Sequence, residues 1–434
     1  MSKNPHFDHE YEPLSSESDP PARTPPAAVE KSAEKDLAAT ATSAGKDEAA
    51  PVAGIPQWDP RSGEVQGDQI AAYDEMRRAC PLAQSPYGYT SVFRHADVLR
   101  VVEDHETFSN AVSRFPSVPN GMDPPEHTPF RRLIEPYFDA AHMQAFAPQC
   151  RDISAGLVRS LAAEGTVEFI SEFAQLFALQ IQCAWLGWPS ELHEPLRLWT
   201  LKNHAATMSR DQDAQGAVAR EFDGYIRDLL AVRRKAGKAA PQDITTHLLR
   251  NEAIGRPLTE DEIISILRNW TVGELGTIGA SVGILAHYLA EHPAIQKQLR
   301  GAPELLPVAI DEILRIHAPL IMNRRVATRA TELGGHALPA GTRIAALWAS
   351  ANRDESVFGD PDEFRLDRDP ALNLLYGAGV HICPGAPLAR LELLTVMEEL
   401  LAGTQWLALT EGRPAVKAFY PGSGFSSLFL TIDR

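Results

Sequence analysis

Tyr376-Gly377-Ala378-Gly379-Val380-His381-Ile382-Cys383-Pro384-Gly385-Ala386-Pro387-Leu388-Ala389-Arg390-Leu391-Glu392 is the stretch that decides the fold. It reads as a glycine-loosened loop that delivers one cysteine to a fixed point and then enters an amphipathic helix of Leu, Ala, Val and Met. A lone thiol held this way, with glycine two residues after it, suits an axial ligand to iron, because backbone N–H groups past Cys383 can point at sulfur and stabilise a thiolate. Pro384 has no N–H to give, so the donors must come from Gly385 and Ala386 onward. The competing reading is a buried core thiol, since free cysteine is among the most buried residue types.

The wider pattern, aromatic-Gly-x-Gly-x-His-x-Cys-x-Gly, resembles the haem-ligand loop of the cytochrome P450 family, the haem-thiolate monooxygenases. The resemblance implies a mainly α fold with a small β region in one large domain, with haem b as cofactor and Cys383 as its metal ligand. Tyr376 departs from the phenylalanine usual in the family. It keeps the ring but adds a hydroxyl that needs a partner if buried.

Composition agrees with such a body. The 434 residues can bury a sizeable core, and 44% hydrophobic content is that of a globular protein. A formal net charge of −16 argues against a nucleic-acid binder, which needs a basic face. Cys80, Cys150, Cys183 and Cys383 lie far apart with no CxxC pair, so neither a zinc site nor a disulfide framework is suggested, and a reducing cytoplasm fits. The N-terminus lacks the apolar core of a signal peptide, and no run approaches the ~18 unbroken apolar residues of a membrane span. Residues 1–55, rich in Pro, Ala, Ser, Glu and Lys, are expected to form a disordered tail, leaving 56–434 as the haem domain.

Within that domain, apolar spacing predicts helices over Asp68–Cys80 and His95–Asp104, and a short hairpin within Pro86–Phe93. Ser109–Gly121, broken by prolines, is a loop that in the resembled family borders the substrate pocket. Asp123 is placed to cap a helix carrying His127 and Arg131, four apart and so on one face. Helices dominate from Gln149 to Gly237, broken at Gly165, Trp188-Pro189 and near Arg210, with Phe169, Phe173, Leu176, Phe177 and Leu179 as a core stripe. Thr259-Glu260-Asp261-Glu262 is a capping box opening a helix to about Ala290.

That long helix contains Gly273-Glu274-Leu275-Gly276-Thr277-Ile278-Gly279-Ala280. Three interior glycines cost on the order of 2–3 kcal/mol relative to alanine, so they need a reason. Recurring every three residues, they clear a face against which a flat macrocycle and a diatomic ligand could fit; close helix packing is the competing use. Counting back from His292-Pro293 places the family's threonine on Thr277. Its acid position then falls on Gly276, and Glu274, three residues before Thr277, is the nearest carboxylate. The expectation is that Thr277 holds a water by its hydroxyl and Glu274 feeds protons through water.

Further residues carry the resemblance. Glu312-Ile313-Leu314-Arg315 resembles the family's Glu-x-x-Arg element, a buried scaffold pair. Ala351 to Arg368 matches its meander, but Glu363 stands where many relatives have arginine, leaving Arg353 and Arg368 as substitutes. His127, Arg131, Arg325 and His381 occupy the positions that hold the haem propionates. The pocket is expected to combine the 109–121 loop, the glycine face, Leu320-Ile321-Met322 and Phe425-Ser426-Ser427, and to admit a small, largely apolar or aromatic substrate.

The resemblance implies a soluble, cytoplasmic, monomeric oxidoreductase that inserts oxygen from O2 using electrons from NAD(P)H. Asn269 to Thr277 looks particularly like the haem domains of the self-sufficient, reductase-fused subgroup. No flavin or iron–sulfur module follows, so a separate ferredoxin-type donor and its reductase are implied, with Arg131, Arg132 and Arg390 as a basic docking patch. A peroxide-driven peroxygenase and a haem-based gas sensor are the alternatives.

Overall fold

The computed structural model describes residues 54–433, apart from 114–115, 162–163 and 210. The expected tail lies outside the described residues except for Gly54 and Ile55, and Ile55 is buried in one cluster with Leu82, Val92 and Leu338. No helix among the described residues is long and apolar enough to cross a membrane.

Helices carry most of the chain. A mixed sheet orders the strands Leu82–Gln84, Thr90–Val92, Arg343–Leu347, Met322–Ala327 and Phe108–Ser109. A second sheet joins Glu164–Glu168, Phe429–Asp433 and Trp406–Leu409. The hairpin expected within Pro86–Phe93 begins earlier: Leu82 pairs with Val92 and Gln84 with Thr90, so 85–89 is its turn. Its first strand, three residues with no β-branched side chain, has too little pattern to be seen.

The capping box holds. Thr259 Oγ1 accepts from the Glu262 N–H and the Glu262 carboxylate from the Thr259 N–H, starting a helix over Glu260–Glu291. At 1.5 Å per residue it runs about 48 Å through the domain. Phe169, Phe173, Phe177 and Leu179 are buried as expected, with Leu176 partly so. Phe173 lies in the π-turn Ile170–Ala174, which Phe169 immediately precedes, and the other three in the helix Gln175–Leu186; both elements pack on the long helix.

This packing corrects the reading of the three glycines. A Cβ on Gly273 or Gly276 would meet nothing within 4 Å, whereas one on Gly279 would lie 3.8 Å from the Ala174 carbonyl. Three-residue steps drift around a helix, so Gly279 has rotated about 120° away from Gly273. The first two glycines clear one face; the third serves helix packing.

Asp123 is not a cap. The helix spans His127–Ile134 with Glu126 at its N-cap and no side-chain cap. The Asp123 carboxylate instead accepts from Ser109 Oγ at 2.5 Å and the Asn110 N–H at 3.0 Å, fastening the 109–121 loop to the helix entrance. The far end of that loop is tied to the long helix, where the Val118 N–H donates to Ser265 Oγ at 2.8 Å and Asn269 Nδ2 to the Val118 carbonyl at 3.2 Å.

Behind the cysteine loop lies a buried ionic scaffold. On the helix Leu306–His317, Arg315 donates to Glu312 through Nε at 2.8 Å and Nη2 at 2.9 Å, and to the carbonyls of Asn352 and Pro361. Arg368 is the third member, donating from Nε to Glu312 Oε1 at 2.9 Å and to three meander carbonyls. Arg353 takes another role, bridging Asp74 and Asp362. Both arginines of the triad also lie over the Phe358 ring.

One carboxylate balanced by two fully bonded guanidinium groups is stable only as a set, because removing a partner leaves an uncompensated buried charge. Arg315→Ala is expected to cost about 3–5 kcal/mol by urea unfolding. Arg365→Ala, which breaks the exposed Arg365–Asp367 pair, should leave the midpoint within error. Equal losses would contradict the network.

Candidate functional site

The cysteine loop is seated by close backbone approach. Gly377 and Gly379 have φ of +73° and +69°, in the left-handed region. A Cβ at Gly379 would lie 2.5 Å from the Val102 carbonyl, so only glycine fits. The Cys383 N–H donates to the Tyr376 carbonyl at 2.8 Å, closing the loop on itself. Tyr376's hydroxyl finds Asp311 at 3.4 Å, and Arg390 stacks 4.4 Å over its ring.

Cys383 keeps solvent-exposed surface as a residue, yet protein crowds its sulfur. Desolvation pushes the thiol pKa up, and the N–H groups of Gly385 and Ala386 pull it back down. These are the two donors that Pro384 forced on the sequence reading. Among the described residues Cys383 is a free thiol, like Cys80, Cys150 and Cys183.

His127 and His381 come together beside this loop with ring centroids 4.4 Å apart. Both Nε2 atoms are buried with no hydrogen-bond partner. Burial lowers both pKa values, His381 to about 3, with the charge of Arg325 contributing to the latter. Arg325 is itself only 5% exposed and makes one bond, Nη1 to the Arg324 carbonyl at 2.7 Å. Desolvation pulls its pKa down to about 10. Buried donors of this kind are costly unless an acceptor joins them.

Arg131 is committed differently. It donates to Glu135 at 2.8 Å and to the Ile382 carbonyl at 2.6 Å, so it braces the residue before the cysteine. Arg390 is likewise paired with Asp311 at 3.0 Å. The basic patch expected from Arg131, Arg132 and Arg390 is therefore neutralised at two of its three positions, with Arg132 exposed.

Across from the loop, Thr277 Oγ1 donates to the Gly273 carbonyl at 2.8 Å, one turn back in the helix. Glu274 Oε1 is buried, and desolvation raises its pKa to about 7. The long helix packs on the helix that follows the cysteine loop, and Glu274 adds to the upward shift of the Cys383 thiol. The sequence reading missed its neighbour: Glu392, fully buried on the cysteine helix Ala386–Gly403, bears on Glu274. A glutamate falling among buried leucines of that helix was the available signal.

The expected pocket is only partly assembled. A cavity of about 220 Å³ brings Ile321 and Phe425 together, but with Ile284 and His287 rather than the glycine face. Ile284 lies two helical turns beyond Thr277, roughly 10 Å along the axis. Leu320 turns outward and is exposed.

The site residues fit a haem. An amide-supported sulfur could ligate iron, the unpartnered donors of His127, His381 and Arg325 suit propionates, and the surface at Gly273 and Gly276 admits a flat ring.

The sequence profile described as Cytochrome P450 matches residues 191–419. Cytochrome P450 109 of Bacillus spizizenii is 31% identical over 356 residues, covering 80% of this chain and 87% of that protein. The erythromycin C-12 hydroxylase of Saccharopolyspora erythraea is 32% identical over 359 residues, covering 78% and 89%. The solved structure of cytochrome P450 CYP109Q5 from Chondromyces apiculatus superposes with a TM-score of 0.79 at 28% identity, covering 87% of this chain and 99% of that one. These matches run nearly the full length of each relative and leave no room in it for a fused reductase, so the likeness to the self-sufficient subgroup is not supported. The chain belongs to the cytochrome P450 family of haem-thiolate monooxygenases, which are oxidoreductases.

Proposed function

We propose that the protein is a haem b monooxygenase ligated by Cys383 that inserts one atom of O2 into a small, largely apolar or aromatic substrate. Electrons come from NAD(P)H through a separate ferredoxin-type donor and its reductase, and the enzyme works in the cytoplasm as a monomer. The observation that carries this reading is the pair of buried, unpartnered ring nitrogens on His127 and His381, with the buried Arg325, beside an amide-supported thiol. Relatives named hydroxylase and hydroxylase/epoxidase support oxygen insertion, with hydroxylation ahead of dealkylation.

When bound, haem supplies oxygen activation, and the thiolate contributes electron density to it. The chain's own residues do the rest. The Gly385 and Ala386 amides hold charge on sulfur. His127, His381 and Arg325 fix the group's edge by donating to its carboxylates, with Arg131 steadying the loop through Ile382. Thr277 can turn its hydroxyl from the Gly273 carbonyl to a water, and Glu274, held near neutrality, gives up a proton toward it. A carboxyl three residues from Thr277 whose pKa burial raises to about 7 favours oxygen activation over the peroxide-driven alternative, which needs no proton supply.

A reduced-plus-carbon-monoxide spectrum tests the class. The shift produced by thiolate ligation should be present in the wild type and absent in Cys383→Ser. An unchanged spectrum in that variant would remove Cys383 as ligand. Arg325→Ala, by losing one charge-assisted contact of about 1.5–3 kcal/mol, should release haem to apomyoglobin roughly 10- to 100-fold faster. In Thr277→Ala more of the electrons consumed should appear as hydrogen peroxide; unchanged coupling would take Thr277 out of the mechanism.

A further inference from the structure

The cavity that gathers Ile321 and Phe425 lies behind the Thr277 turn. Ile284 follows Thr277 by seven residues, two turns along the same face of the long helix. Between them the backbone of Gly424 packs on the helix, where a Cβ would lie 3.4 Å from both the Ala280 carbonyl and Ile284. Gly424 also belongs to the cavity wall, so a residue without a side chain forms part of the partition on the Thr277 side.

At about 220 Å³ the cavity is larger than the roughly 150 Å³ that holds a benzene ring inside a protein. Ile284, Ile316, Ile321 and Phe425 give it apolar walls. Most of its polar groups are already engaged. The Tyr73 hydroxyl donates to Gln69 Oε1 at 3.1 Å, Gln69 Nε2 to the Ala418 carbonyl at 2.9 Å and Ser423 Oγ to the Ala318 carbonyl at 2.5 Å.

Two imidazoles are not engaged in this way. His317 meets the Tyr288 ring edge-on at 5.4 Å, and neither of its nitrogens has a hydrogen bond among the described residues. His287 lies 4.3 Å from the Phe425 ring, with Nδ1 facing the Glu291 carboxylate at 3.2 Å. That carboxylate favours the proton on Nδ1 and leaves Nε2 as an acceptor. Burial lowers both imidazole pKa values, His317 to about 3, so both rings are neutral at physiological pH. The charged groups at the cavity are exposed and face other partners: Lys417 lies 3.6 Å from Asp68, and Glu291 faces His287. A carboxylate entering here meets Glu291 and two uncharged rings; an O–H meets an acceptor.

We propose that this cavity is a second small-molecule site, which takes a compact, uncharged, apolar molecule carrying one hydroxyl group. Oxygen insertion leaves a molecule of this class, so the occupant we assign is the reaction product, lodged behind Gly424. That identification rests on the reading of the protein as a monooxygenase. A substrate without the hydroxyl leaves His287 Nε2 unanswered, and the site therefore prefers product over substrate.

The test uses the holoenzyme with its haem face filled by clotrimazole, an iron-ligating azole too large for a space of about 220 Å³. Three probes are titrated by fluorine NMR: 4-fluorophenol as the product class, fluorobenzene as the matching substrate class and 4-fluorobenzoate as an anion. The phenol should bind roughly 3- to 10-fold more tightly than fluorobenzene, the worth of one hydrogen bond, and the benzoate should not bind. His287→Phe should remove the preference. Ile70→Trp, which builds volume into the cavity from the helix Gln69–Ala79, should weaken both neutral probes at least about tenfold.

Equal binding of the two neutral probes in the wild type, tighter binding of the benzoate, or a preference that survives His287→Phe would overturn the hydroxyl assignment. Unchanged binding in Ile70→Trp would place the probes elsewhere and overturn the site. A reduced-plus-carbon-monoxide spectrum, taken on each protein without the azole, reports folding and haem ligation separately. A thiolate spectrum beside a failed titration removes this site and leaves the monooxygenase reading standing. Probe binding beside a wild-type spectrum without the thiolate shift keeps the site and removes the product as its occupant.

Discussion

A side chain at position 379 would put its first carbon 2.5 Å from the carbonyl of Val102, and the direction in which Cys383 presents its sulfur depends on that close approach. With glycine there, the loop presses flat against the helix His95–Glu103, turns through two left-handed residues and returns the Cys383 N–H to Tyr376. The sulfur then faces the amides that open the following helix. Everything chemical in the domain is arranged relative to this atom: the histidine and arginine donors beside it, and the thinned turn of the long helix facing it.

The domain handles buried charge in two opposite ways. Behind the loop, Glu312 accepts from Arg315, Arg368 and the Arg365 N–H, and each guanidinium also donates to backbone carbonyls. In front of it, desolvation raises the pKa of both Glu274 and Glu392. The first arrangement resists change and suits a scaffold. The ring nitrogens of His127 and His381, buried with no partner among the described residues, are a third case.

Much of the site was legible because its chemistry is local. Pro384 cannot donate, so the amides had to be those of Gly385 and Ala386, and they are. A tyrosine hydroxyl placed beneath the loop had to find a partner, and Asp311 meets it. The capping box at Thr259 and the aromatic stripe from Phe169 were visible for the same reason: each is decided by residues within one or two turns. The errors share a different cause. Asp123 looks like a cap until Ser109 and Asn110 compete for it, and Gly279 looks like part of a cleared face until the turn at Ala174 packs there. The hairpin was misplaced because its first strand is recognisable only by the partner it pairs with.

By itself, then, the order of residues determined the class of the domain, the identity of the cysteine and the list of side chains around it, because backbone sterics and missing donors act between neighbours in the chain. Tertiary structure decided which residues meet. It chose Arg368 over Arg353 as the third member of the scaffold, set Arg131 to bracing Ile382, moved Ile321 and Phe425 to a cavity beyond Thr277, and brought Glu392 against Glu274. Such pairings depend on how distant helices rotate and slide as they bury their apolar faces, and periodicity fixes which face is buried without fixing what lies opposite.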